Sequence, residues 1–128
     1  MKAREPMTRT GENPDTASAD CTSPAVTVVI PSYGGAGTIR RAVGSALAQR
    51  NAGVSVIVVI DDECVITRRK VEELGDERVT VLTNPTNVGA PASRNRGLEL
   101  ADSPYVLFLD ADDYLQGDFL APLAVRMA

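Results

Sequence analysis

The chain has 128 residues, 44% of them hydrophobic and 23% charged, which suits one soluble domain with a modest core and demands no second one. A net charge of -4 and a pI near 4.8 argue against a general polyanion binder, so nucleic acid is not an expected partner. There is no histidine, which excludes imidazole general-base chemistry, the usual Ser-His-Asp arrangement and histidine-ligated zinc.

Residues 1–24 are rich in Thr, Ser, Pro, Asp, Glu and Ala without a sustained period and read as a disordered polar tail, with the folded domain over 25–128. Lys2, Arg4 and Arg9 have no apolar stretch behind them, so no secretory signal is expected. Nothing approaches the roughly 20 apolar residues of a membrane span. A cytoplasmic protein is expected, peripheral to the membrane in a full-length parent. Cys21 and Cys64 form neither a disulfide framework nor a zinc pattern and read as ordinary thiols.

Val26-Thr27-Val28-Val29-Ile30 predicts the first strand, halted by Pro31. The glycine-rich turn Ser32 to Gly37 follows, and then Ile39, Ala42, Val43, Ala46 and Leu47 recur at helical spacing, which predicts a helix over Thr38 to Gln49 with Thr38 as N-cap. Val54 to Ile60 predicts a second, nearly all-apolar strand, ended by Asp61-Asp62-Glu63. A charged surface helix runs from there to Leu74, where Gly75 stops it. Val79 to Leu82 predicts a third strand, and Thr83 to Gly89 a polar loop. Pro91 fits the first turn of a helix lasting to about Ala101. Tyr105 to Leu109 predicts the fourth strand, and Asp118 to Met127 a last helix with Asp118 at its capping turn.

Strands alternating with helices imply an α/β fold, a parallel sheet with right-handed crossovers, whose ligands bind beyond the carboxyl ends of the strands. Three polar motifs fall on that edge: Pro31-Ser32-Tyr33, Asp61-Asp62-Glu63 and Asp110-Ala111-Asp112-Asp113. The last is the most informative, because an apolar strand stops abruptly on three carboxylates within four residues. Their repulsion is relieved by protonation, by water or by a bound cation, and a hard divalent ion suits oxygen ligands best. Each motif also has a plainer reading: a tight turn, a solvated strand end, a helix cap. Their coincidence on one edge favours a nucleotide-type ligand bound with a metal.

Val-Thr-Val-Val-Ile-Pro-Ser-Tyr at 26–33, Ser45-Ala-Leu-Ala-Gln49, Asn87-Val-Gly89, Ser93-Arg-Asn-Arg-Gly97 and Asp110-Ala-Asp-Asp113 occur in this order. Over Val26 to Met127 the chain resembles the donor-binding half of a family 2 glycosyltransferase, with the A-type (GT-A, Rossmann-like) nucleotide-sugar fold, here apparently truncated. The resemblance implies that Pro31, Ser32 and Tyr33 flank the nucleotide base, and that an aspartate closing the second strand, Asp61 or Asp62, accepts a hydrogen bond from it. It implies that Arg94 and Asn95 touch the donor or brace the acidic loop. In the family's DXD motif, Asp112 would be the main metal contact, with Asp110 and Ala111 toward the sugar or ribose and Asp113 in support.

The reaction so implied is a single displacement with inversion: an acceptor hydroxyl of a carbohydrate, lipid or other molecule attacks the anomeric carbon of a UDP-, dTDP- or GDP-sugar, assisted by Mn2+ or Mg2+. The general base is expected in an acceptor half beyond the metal motif, outside this chain, and apolar faces left bare imply a homo-oligomer or a missing C-terminal half. Two departures from the family pattern bear on the donor: Gly34 stands where relatives commonly have asparagine, and Glu63-Cys64 where they have Gly-Ser. Two rival readings remain. One is a truncated, non-catalytic nucleotide-binding module. The other is a receiver-like domain, in which Val58 to Glu63 is the first strand and Asp110 accepts phosphate.

Overall fold

β-branched runs build the centre of the molecule. The computed structural model describes residues 2–3 and 24–127; the expected tail therefore lies almost wholly outside the described residues, as does Cys21. Its elements are β1 (Lys2–Ala3), β2 (Ala25–Ser32), α1 (Ile39–Leu47), β3 (Gly53–Ile60), α2 (Val65–Glu72), β4 (Val79–Thr83), α3 (Ala90–Leu100), β5 (Tyr105–Phe108) and α4 (Leu120–Met127). The sheet order is β1-β5-β2-β3-β4. β5, β2, β3 and β4 run parallel, and Lys2–Ala3 pairs antiparallel with Tyr105 and Val106 at the edge.

Both faces of the sheet are covered, which is why β2 and β3 are apolar at nearly every position rather than alternating. Val28, Ile30, Val56, Val58 and Ile60 pack on one face with Ile39, Val43 and Ala46 of α1, Val71 of α2 and Leu120 and Ala124 of α4. Val29, Ile57, Val59 and Val106 pack on the other with Ala101 and the partly buried Leu98 at the end of α3. There α3 lies close, because its buried residues are Ser93 and Gly97. A Cβ at Gly97 would fall 2.4 Å from Val29 Cγ1, so only glycine permits that approach.

The expected elements are found, with four differences. Lys2–Ala3, expected as part of a disordered tail, is the edge strand β1 paired with β5. β2 continues through Pro31 to Ser32 instead of halting there. The Val29 carbonyl accepts from Leu109 N–H on the β5 side, and by alternation the Pro31 nitrogen faces the same side, past the end of β5, so no ladder bond is lost. Thr38 precedes α1 but makes no cap bond from its side chain. Asp118 does not cap α4 either: it pairs with Arg50, accepting from its N–H at 2.9 Å and its guanidinium at 2.9 and 3.0 Å. The capping acceptor is Gln49, whose Oε1 receives the N–H groups of Phe119 and Leu120 at 2.7 and 3.0 Å.

The topology also overturns the receiver reading. A receiver sheet places its first strand between the second and third, which here would set β3 between β4 and β5. β5 instead pairs with β2, and β3 lies between β2 and β4.

Candidate functional site

The carboxyl ends of β2, β3 and β5 bring the three polar motifs together. At the end of β5, Leu109 and Ala111 turn into the core and Asp110, Asp112 and Asp113 turn out to solvent. A turn closed by Asp113 N–H donating to the Asp110 carbonyl at 3.0 Å converges the acids. One oxygen from each of the three carboxylates lies within 4.8 Å of the others. Hard, anionic oxygen donors so gathered fit Mg2+ or Mn2+ by ligand chemistry. Arg94 of α3 approaches Asp110 at 3.4 Å, the contact expected of a brace.

At the end of β2, Ser32 is buried while Tyr33 is 70% exposed, its ring free to present a flat surface. Gly35 lets the following turn lie against both the strand end and the acidic turn: a Cβ there would meet Ser32 Oγ at 2.6 Å and Ala111 Cβ at 2.9 Å. A cavity of about 350 Å³ opens between this turn and the acids, lined by Pro31, Tyr33, Gly34, Asp110, Ala111 and Asp112 among others.

At the end of β3 the two adjacent aspartates separate in role. Asp61 is buried, and its oxygens accept from Val88 N–H, Gly89 N–H and Asn84 Nδ2, at 2.8, 2.8 and 2.9 Å. Burial alone pushes its carboxyl up, but these donors outweigh it and hold the pKa below the usual carboxylate value. Asp62 is half-buried and bridges the N–H groups of Gly34 and Cys64, tying the glycine turn to the start of α2. A second cavity of about 280 Å³ is lined by Tyr33, Asp61, Asp62, Glu63 and Asn87 among others. A slot of about 100 Å³ borders Asp61, Ser32, Tyr33 and Asp110 together.

Asn95 stands apart, exposed on α3 and lining none of these cavities; Arg94 and Asp113 line none either but join the site through Asp110 and the acidic cluster. Cys64 is a free thiol at the start of α2, where the Thr67 and Ile66 N–H groups pull its pKa down.

Asn84 and Lys70 carry no signal of their own in the sequence, and the Ser93-to-Gly97 motif does not show what Ser93 and Arg96 bond to. Asn84 joins Asp61 to Ser93 Oγ at 3.0 Å, and Arg96 donates to Asn84 Oδ1 at 2.6 Å and to the Thr83 carbonyl at 3.1 Å. This buried network fixes the 84–89 loop that walls the second cavity. Lys70 donates to the Ala36 carbonyl at 2.7 Å and steadies the glycine turn from α2.

The model of glycosyl transferase family 2 matches residues 27–128. The chain is 39% identical over 88 residues to the UDP-Glc:alpha-D-GlcNAc-diphosphoundecaprenol beta-1,3-glucosyltransferase WfgD of Escherichia coli, covering 69% of this chain and 35% of that protein. With the succinoglycan biosynthesis protein ExoO of Rhizobium meliloti it shares 37% over 103 residues, 80% of this chain and 30% of that one. The chain thus spans about a third of the length of these curated relatives. Among solved structures it resembles S. aureus TarS 1-349 in complex with UDP-GlcNAc, with a TM-score of 0.72 and 30% identity over 79% of this chain and 30% of that one. The mannosyltransferase PcManGT from Pyrobaculum calidifontis, in complex with GDP-Man and Mn2+, gives a TM-score of 0.63 and 26% identity over 72% of this chain and 28% of that one.

Proposed function

The chain belongs to glycosyl transferase family 2, and from that premise we propose that it is the donor-binding part of a metal-dependent, inverting glycosyltransferase. The observation that carries this reading is the convergence of the Asp110, Asp112 and Asp113 carboxylates on the same sheet edge as Tyr33 and the Asp61-Asp62 pair. A nucleoside diphosphate sugar has the matching parts: a flat base, a ribose and an anionic diphosphate. TarS with UDP-GlcNAc and PcManGT with GDP-Man and Mn2+ support that donor class.

In this reading the base lies in the cavity that Tyr33 and Asp62 line, with Pro31 and Ser32 bordering the smaller slot that shares Tyr33 and Asp61 with it. Asp62 is the more accessible acceptor for a base N–H, because it is half-buried with one donor on each oxygen, whereas Asp61 is buried and takes three donors from the 84–89 loop. Asp112, with Asp110 and Asp113, would hold Mn2+ or Mg2+, which when bound neutralises the departing diphosphate. Arg94, 3.4 Å from Asp110, would brace the acidic turn or meet the phosphates in this reading.

A general base must take the proton of the attacking acceptor hydroxyl. Asp118, the carboxylate that follows the cluster, is tied to Arg50 and is not offered for that work. We assign the base to the acceptor-binding part of the whole protein.

The test is calorimetric titration of the purified chain with UDP, with and without Mn2+, followed by GDP and dTDP. Saturable binding that requires Mn2+ is expected, and Asp112→Asn should abolish the metal dependence while leaving the circular dichroism spectrum unchanged. Binding of no nucleotide by a folded chain would remove the donor-site reading. Equal affinity in Asp112→Asn would remove that residue from the metal site.

A further inference from the structure

One face of α1 runs along the backbone that follows β5. Arg41 and Ser45 lie four apart on one side of α1, with Thr38 just before its first turn and Gln49 just beyond its last. They meet the chain in register. Thr38 Oγ1 donates to the Ala111 carbonyl at 2.6 Å, and Arg41 Nη2 donates to the Asp112 carbonyl at 3.3 Å. The Arg41 guanidinium also lies over the Tyr114 ring, 4.5 Å from its centroid. Ser45 Oγ accepts from Leu115 N–H at 2.9 Å, and Gln49 donates to the Gly117 carbonyl at 2.7 Å while capping α4.

The upper two rungs grip the acidic turn itself. Asp110, Asp112 and Asp113 are all exposed, and mutual repulsion would splay them unless their backbone is held. Thr38 and Arg41 hold it from the carbonyls of two of its four residues, leaving every carboxylate oxygen of Asp112 and Asp113 available. Thr38 makes no side-chain cap bond to its own helix and gives its hydroxyl proton to the Ala111 carbonyl instead.

We propose that Thr38 and Arg41 are positioning residues of the metal–diphosphate site, holding the 110–113 turn in the converged geometry before the cation arrives. This rests on the reading of the acidic cluster as a cation site. A ligand set already in place spares the cation the work of ordering it, so the contacts should appear as affinity. Ser45 and Gln49 act on the chain beyond the turn, and their work is stability alone.

The sign of the Arg41 effect separates positioning from simple electrostatics. Removing a positive charge beside a cation site strengthens cation binding by Coulomb's law, so weaker binding after Arg41→Met can come only from lost positioning.

The experiment is Mn2+ binding to the purified chain without nucleotide, read from loss of the free-ion EPR signal, with the melting temperature of each variant taken alongside. Thr38→Val and Arg41→Met are expected to bind Mn2+ roughly five- to tenfold more weakly, as fits the loss of one hydrogen bond each. Thr38→Ser should restore wild-type affinity, and Ser45→Ala should lower the melting temperature without changing it. Wild-type affinity in both Thr38→Val and Arg41→Met overturns the proposal, as does a loss in Ser45→Ala as large as theirs. If Thr38→Val does not fold, Arg41→Met decides, since its side chain is exposed. A wild-type chain that binds no Mn2+ removes the cation site and this proposal together, whereas binding that Asp112→Asn abolishes but neither Thr38→Val nor Arg41→Met weakens removes this proposal alone.

Discussion

Asp61 and Asp62 are indistinguishable as letters, yet they have opposite surroundings. Asp61 is closed off by three donors that belong to the chain, and Asp62 remains half-open beside Tyr33 and Glu63. The folded-state pKa of Asp61 lies below its unfolded value of about 3.9, so between the two the unfolded chain binds more protons. Its contribution is therefore complete above about pH 4 and lost as pH falls through the folded pKa. Asp61→Asn turns an amide donor toward N–H groups that need an acceptor and should cost about 2 kcal/mol at pH 7 by urea denaturation. Repeating the titration below about pH 4 should show the gap between the two proteins narrowing. A constant gap would mean that Asp61 is held by packing rather than by charge. The sequence showed that an acid ends β3; it could not show which acid is enclosed, because the donors come from 23 to 28 residues away.

At the scale of elements, the alternation of β-branched runs with helical periods was readable throughout, and Pro91 opens α3 as expected. The cap of α4 was not. Asp118 has the residue type and position of an N-cap, but Arg50 draws it away and Gln49, some 70 residues earlier, takes its place. Gln49 is buried with both ends of its amide used, so its loss strands two N–H groups of α4. We expect Gln49→Ala to cost about 2–3 kcal/mol in urea denaturation and to speed amide exchange at Phe119 and Leu120. Unchanged exchange there would show that another acceptor moves in. The motif Ser45-Ala-Leu-Ala-Gln49 thus has a mechanical meaning: its two polar residues fasten the segment beyond the acidic turn.

For the molecule as a whole, the parallel sheet sets the ends of three strands on one edge, and no single element contains the site. Folding and ligand binding should then be coupled, since the cavities exist only when β2, β3 and β5 are in register. Saturating UDP with Mn2+, at about a hundredfold over the dissociation constant, would stabilise the fold by about 2.7 kcal/mol and raise the melting temperature by roughly 10 °C or more for a domain of this size. EDTA should reverse the shift, and Asp112→Asn should show none. A shift that survives EDTA would mean that the nucleotide binds without the metal. No helix among the described residues is long and apolar enough to cross a membrane, while Tyr114, Phe119 and Val125 leave apolar surface bare on the side of α4.

The sequence by itself determined the α/β class, the order of strands and helices, and the three polar strand ends that form the edge. These follow from local periodicity and from the rule that parallel crossovers set all carboxyl ends on one side. Tertiary structure alone decided that β5 lies beside β2, that α3 presses on the sheet through Gly97, and which of the two β3 aspartates stays open. It also decided that Thr38, Arg41, Ser45 and Gln49 reach across to the acidic turn and the segment that leads into α4. The physical reason is common to all of these: a hydrogen bond is satisfied by the partner that packing brings within about 3 Å, and packing joins residues whose separation in sequence carries no periodic signal.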